Sequence, residues 1–309
     1  MASNVYTPRR ASRSLFAELR GLRYHALQWG DASRVTPDRP PLVMLHGWMD
    51  VAASFQFVVD ALAHDRFVIA LDWRGFGLTQ TPPTDSYWFP DYLGDLDAAL
   101  DAPALGLAPG QAVDLLGHSM GGNVVMLYAG VRRERVRRLV NLEGFGMPST
   151  RAAQAPGRYA QWLDELRAPA GLKTYASLDA VAERLRRNNP RLPADKAAWL
   201  APHWSRRRAD GQWEILGDPA HKRVNPVLSR TEEMLECWKL IAAPLLWIEG
   251  DETEVIQRWA GRYSRAEFEA RLGVVPRVER QTVSPAGHMV HHDQPQALAA
   301  HVERFLDRA

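Results

Sequence analysis

An α/β fold, with a mostly parallel sheet, helices between its strands and a helical insertion, is the class this sequence predicts. Three features predict it. Short apolar runs each stop at turn or polar residues, amphipathic stripes lie between the runs, and the alternation breaks between about residues 147 and 241.

The runs come first. Leu42-Val43-Met44-Leu45 stops at His46-Gly47, and Phe67-Val68-Ile69-Ala70-Leu71 stops at Asp72. Val113-Asp114-Leu115-Leu116 stops at Gly117, Leu139-Val140-Asn141-Leu142 at Glu143-Gly144, and Leu245-Leu246-Trp247-Ile248 at Glu249-Gly250. Runs of this length without polar alternation are what strands buried on both faces look like. Between them, Phe55, Val58, Val59 and Leu62 fall at i, i+3, i+4, i+7, and Leu298, Val302, Phe305 and Leu306 make a similar stripe. Strands alternating with helices imply βαβ units and a parallel sheet. Upstream, 14–19 and 22–29 flank Arg20-Gly21 and predict a hairpin at one sheet edge.

The insertion reads as helical, with candidate helices at 159–166, 178–187, 194–200 and 231–240, punctuated by Pro190, Pro193, Pro202, Pro219 and Pro226. The organisation expected is a core over 1–146, a helical cap over 147–240 and the rest of the core over 241–309. The cap holds Arg184, Arg186, Arg187, Arg206, Arg207 and Arg208, expected as a solvated face. It also holds Trp162, Trp199, Trp204, Trp213 and Trp238, expected mainly to pack it on the core.

Composition narrows the function. The net charge is +2 over 309 residues, which points to neither nucleic acid nor a membrane surface. The single cysteine, Cys237, excludes an intrachain disulfide framework and argues against a cysteine-based zinc site. Residues 1–20 are polar and arginine-bearing, unlike a signal peptide, and no run approaches a membrane span, so the expected location is cytoplasmic. The partner expected is a small-molecule substrate; oligomeric state is not readable.

The chemistry centres on Gly117-His118-Ser119-Met120-Gly121, set between an apolar strand and an apolar helix. That is the context a G-x-S-x-G nucleophile elbow requires, with Ser119 lifted into the cleft at the strand's C-terminal end. A serine hydroxyl needs a base, and His288 in Ala286-Gly287-His288-Met289, just before the last helix, is the candidate. Nearby His291 and His292 are expected at the surface or supporting the site, and His118 as structural. An oxyanion hole is expected from the Met120 N–H, next after the nucleophile, and the Trp48 N–H in the His46-Gly47-Trp48-Met49-Asp50 loop.

The His46-Gly47 loop, the Asp72-Trp73-Arg74-Gly75-Phe76-Gly77 turn, the elbow and the Gly287-His288 element follow the order of the α/β-hydrolase superfamily across essentially the whole chain. Leu45-His46-Gly47-Trp48-Met49-Asp50, with Ala53-Ser54-Phe55 after it, resembles the serine hydrolase-like proteins within it. The resemblance implies the α/β-hydrolase fold, with an eight-stranded, mostly parallel sheet and a cap inserted after the sixth strand. It also implies Ser119 and His288 as triad members, no metal or organic cofactor, and Asp72 and Arg74 as structural braces.

The acid departs from the pattern. The family places it after the seventh strand, three residues beyond a glycine, where this chain has Thr253 in Gly250-Asp251-Glu252-Thr253-Glu254. A threonine cannot stabilise an imidazolium as a carboxylate does. Either Asp251, Glu252 or Glu254 reaches His288 through a shifted loop, or Glu143, after the sixth strand, serves, as in some superfamily members; Glu143 is favoured. The activity expected is hydrolysis of a small carboxylic ester through an acyl-enzyme, falling below about pH 6 where a protonated His288 cannot act as base. The same parts would serve a thioesterase, a C–C bond hydrolase, or a ligand-binding protein with little turnover.

Overall fold

The computed structural model describes residues 5–168 and 171–308, so residues 1–4 of the polar N-terminal stretch lie outside the described residues. The strands are β1 (Arg13–Leu19), β2 (Leu22–Trp29), β3 (Leu42–Leu45), β4 (Val68–Leu71), β5 (Val113–His118), β6 (Val136–Leu142), β7 (Thr174–Tyr175), β8 (Ser205–Arg207), β9 (Trp213–Ile215), β10 (Leu245–Gly250) and β11 (Val278–Val283). Eight of them form one sheet in the order β1-β2-β4-β3-β5-β6-β10-β11. The run from β4 to β11 is parallel, and the β1–β2 hairpin adds antiparallel to β4.

The apolar runs become central strands because both faces of the sheet are covered. Leu42, Met44, Val68, Ala70, Leu246 and Ile248 enter one core cluster, while the alternating Val43, Leu45, Ile69, Leu71, Leu245 and Trp247 enter the other. The first cluster is closed by α1 (Gln56–Ala61), which follows a 3₁₀ turn, and by the C-terminal helix. The second is closed by α2 (Phe89–Leu100) and α3 (Met120–Val131). Burying a large aliphatic side chain contributes roughly 1.5–3 kcal/mol, so losing the alternate face of any central strand would be severe.

The insertion between β6 and β10 contains α4 (Ala155–Arg167), α5 (Leu178–Asn188), α6 (Ala194–Trp204) and α7 (Thr231–Lys239). It is not wholly helical. β7, β9 and β8 form a small antiparallel sheet in that order, from strands of two or three residues, too short to show a period. The insertion is pinned to the core by pairing of Phe76 with Gly217 and by Asp218 N–H donating to the Gly75 carbonyl at 2.8 Å. α7 packs on α3, where the Gly130 Cα faces the Cys237 backbone closely enough to leave no room for a side chain.

The insertion's arginines are exposed, several paired locally, as Arg206 is with Glu214 at 2.6 Å. Its tryptophans are buried or half-buried: Trp162 donates to Ser86 Oγ at 2.7 Å, and Trp199 packs against Tyr6 and Phe57. After β10 come α8 (Val255–Arg258) and α9 (Arg265–Leu272), then β11, α10 (Val290–Asp293) and α11 (Pro295–Leu306). Among the described residues no helix is long and apolar enough to cross a membrane.

Candidate active site

The parallel register brings the C-terminal tips of β3, β5, β6 and β10 side by side. Leu45 pairs with Gly117, and Leu142 lies between His118 and Ile248. The next residues therefore project from one edge: His46, Ser119, Glu143 and the loop after Gly250. This is where open α/β sheets place ligands.

Ser119 occupies the sharp turn from β5 into α3, with φ 52° and ψ −112°. Its N–H donates to the Leu142 carbonyl at 2.8 Å and its own carbonyl accepts from Asn123 N–H at 3.0 Å. Such a left-handed conformation is strained for a residue with a Cβ and persists because its surroundings fix it. Glu143 at φ 58° and Met49 at φ 54° are strained in the same sense, so three such residues ring one site. The elbow also needs Gly121, since a side chain there would collide with the carbonyls of Leu45 and His46. Gly47 is also confined, because a Cβ on it would lie 2.9 Å from His118 Nδ1 and 3.1 Å from the Ser119 Cβ.

Three side chains meet in a row. His288 Nε2 lies 3.1 Å from Ser119 Oγ, and His288 Nδ1 lies 3.0 Å from Glu143 Oε2. Glu143 is fully buried, and its carboxylate accepts two more hydrogen bonds: from Gly250 N–H at 2.7 Å and from the Thr253 hydroxyl at 2.6 Å. A buried charge is tolerable when its oxygens are occupied in this way. Behind the row, His118 Nε2–H donates to the His288 carbonyl at 2.9 Å, and burial holds that ring well below the usual imidazole range, hence neutral.

The neighbouring loops are braced by buried polar contacts. Asp72 accepts from His25 at 2.6 Å, Ala52 N–H at 2.7 Å and Leu78 N–H at 2.9 Å. Burial alone would raise its pKa, but the His25 bond and nearby imidazoles hold it below the ordinary range. Arg74 grips Asp95 through Nε at 2.5 Å and Nη2 at 2.6 Å. His46 accepts from Trp73 N–H at 3.0 Å, joining the β3 and β4 loops.

A family model described as the alpha/beta hydrolase fold matches residues 40–295. The chain belongs to that family. Within it, this α/β-hydrolase is 23% identical to a serine hydrolase-like protein of Danio rerio, over 86% of this chain and 81% of that one. It is 25% identical to esterase YbfF of Escherichia coli, over 86% of this chain and 93% of that one. The thioesterase domain from the curacin biosynthetic pathway superposes with a TM-score of 0.80 at 22% identity, over 95% and 99% of the two chains, which is a likeness of fold. This α/β-hydrolase is thus a hydrolytic enzyme.

Several expected positions fall elsewhere. Asp251 does not reach His288; it accepts from Ser284 Oγ at 2.6 Å and Ala286 N–H at 2.9 Å, bracing the segment before the histidine. Glu252 pairs with Arg191, and Glu254 is exposed beside Arg258. Thr253, which stands where the family places the acid, donates its hydroxyl to Glu143, a contact sequence reasoning did not anticipate. His291 and His292 are not at the surface: both are fully buried against α1 and the turn before it, beside Asp50.

Met120 opens α3, so its N–H has no acceptor within the helix. Trp48 follows Gly47 against the elbow; its indole, half exposed, donates to the His221 carbonyl of the insertion at 3.3 Å.

Proposed function

We propose that this protein hydrolyses small carboxylic esters through an acyl-enzyme on Ser119. The observation that carries the reading is the unbroken line Ser119 Oγ, His288 Nε2, His288 Nδ1, Glu143 Oε2, with steps of 3.1 and 3.0 Å. Both fall within the looser range seen for such contacts before substrate binds.

In this mechanism Ser119 Oγ attacks the ester carbonyl carbon while its proton passes to His288 Nε2. Glu143 holds the ring through Nδ1–H and stabilises the imidazolium that forms. The carbonyl oxygen becomes an oxyanion and accepts from the Met120 and Trp48 N–H groups. The C–O bond to the leaving alcohol breaks, and that alcohol takes the proton from Nε2. Water then repeats the sequence on the acyl-enzyme, releasing the acid and restoring Ser119.

The insertion, residues 147–240 in this reading, acts as a cap over the cleft, and the Trp48 tether to His221 supports that role. The activity of the esterase relative favours an ester over other acyl bonds. The single cysteine fits a reducing compartment, so the proposal extends to the cytoplasm.

Labelling with a fluorophosphonate probe tests the core of it. Wild-type protein should label covalently and Ser119→Ala should not. A folded wild type that stays unlabelled would overturn the reading.

A further inference from the structure

Behind the candidate active site, four imidazoles stand in file. Ring centroids lie 4.8 Å apart from His288 to His118, 4.4 Å from His118 to His291, and 4.3 Å from His291 to His292. The mechanism uses only the first. The last two, both on α10, are buried, and among the described residues none of their four ring nitrogens makes a hydrogen bond. Facing them is Asp50, 3% exposed, whose Oδ2 makes no hydrogen bond and lies 3.5 Å from His291 Nε2, within ion-pair reach. Its other oxygen is fixed by Val51 N–H at 2.8 Å and by the Ser54 hydroxyl, so the carboxylate is aimed.

Leaving a buried polar group unsatisfied is costly, and native folds rarely leave several together. A ligand that accepts lone pairs from two imidazoles and a carboxylate would satisfy three of these five atoms, one nitrogen of each ring and Asp50 Oδ2. One donor atom from each of Asp50, His291 and His292 lies within 4.8 Å of the others. Donors around a tetrahedral ion with bonds of about 2.0–2.2 Å stand roughly 3.5 Å apart, so modest rotation of the rings closes the set. The held oxygen of Asp50 supplies the outer hydrogen bonds that orient a ligating carboxylate.

We infer that Asp50, His291 and His292 bind one divalent transition-metal ion, with zinc the best match to two imidazoles and a carboxylate. A fourth position is left for one enclosed water. Its role is structural. Asp50 is two residues from Trp48 and His291 three from His288, so the ion would staple the β3 loop to the segment before α11. No bond in a substrate is made or broken there.

Metal content and a cobalt spectrum on the full chain test this. Protein purified without a metal-affinity step should hold about one zinc per chain. After chelation its melting temperature should fall, and added Zn²⁺ should restore it. Co²⁺ reloaded into the apoprotein should give the visible bands of a tetrahedral site. Asp50→Asn and His292→Gln, checked for folding by circular dichroism, should each weaken Zn²⁺ binding by roughly a hundredfold or more. A folded wild type that binds neither Zn²⁺ nor Co²⁺ stoichiometrically would overturn the inference, whatever the variants do. So would metal binding that persists undiminished in both variants.

Discussion

Glu143 has two oxygens and three donors, and its proposed role can be separated from that of the nearby acids. Glu143→Gln keeps the shape but removes the charge that faces the imidazolium. Turnover of a p-nitrophenyl ester should fall by about 10³–10⁴. Glu252→Gln and Glu254→Gln remove charges that are exposed and paired only at the surface, and kcat should change by no more than about twofold. The opposite pattern would return the acid to the loop after β10. At this scale the sequence was informative because chemistry restricts the residue types: an elbow serine, a histidine before the last helix, a carboxylate at a strand tip. It could not say that Thr253 would turn its hydroxyl toward Glu143. That direction depends on the course of the 250–254 loop, where Thr253 N–H closes back on the Gly250 carbonyl at 3.2 Å. His291 and His292, expected at the surface or supporting the site, are buried because α10 packs against α1, the turn before it and α11, with the His291 ring against His118 at the β5 tip.

The loop after β10 is the element that links these residues. Thr253 in it and Gly250 at the end of β10 supply two of the three donors on Glu143, so strand end and loop together hold the carboxylate without touching the serine. Thr253→Val removes one hydrogen bond and keeps the branched shape. A net loss near 1.4 kcal/mol would lower kcat about tenfold with KM little changed, readable by steady-state kinetics on the same ester. Other elements were legible to different degrees. β3, β4, β5, β6 and β10 announce themselves as short, mainly apolar runs because neighbours flank them on both sides. β11 does not, because it is an edge strand, Val278-Glu279-Arg280-Gln281-Thr282-Val283, half exposed along its length. The three strands inside the insertion escaped because each is only two or three residues long, too short for an alternation to repeat, and their pairing is set by contacts distant in sequence.

For the molecule as a whole, buried imidazoles set the response to acid. His221 is stacked between Phe76 and Tyr87, with centroids 3.7 and 3.5 Å away, and burial pushes its pKa down to about 3. Burial lowers His46 as well. In an unfolded chain such rings take up protons near pH 6.5, so below that pH the unfolded state binds more protons than the folded one. Stability should therefore decline as pH falls from about 6.5, and for His221 continue to decline to about 3. Carboxylates held low, such as Asp72, add to the loss only from about pH 4 downward. Melting temperatures measured from pH 7 to 4.5 should fall steadily for the wild type and less steeply for His221→Phe, which keeps the stack. Parallel slopes would show that the ring between insertion and core does not govern acid sensitivity. The left-handed backbone at Met49, Ser119 and Glu143 has a consequence of another kind. Glycine would rest there without strain yet bring no hydroxyl, no carboxylate and no side chain to the cleft. At these three positions selection for durability and selection for activity pull in opposite directions, and drift toward a sturdier protein would erode them first.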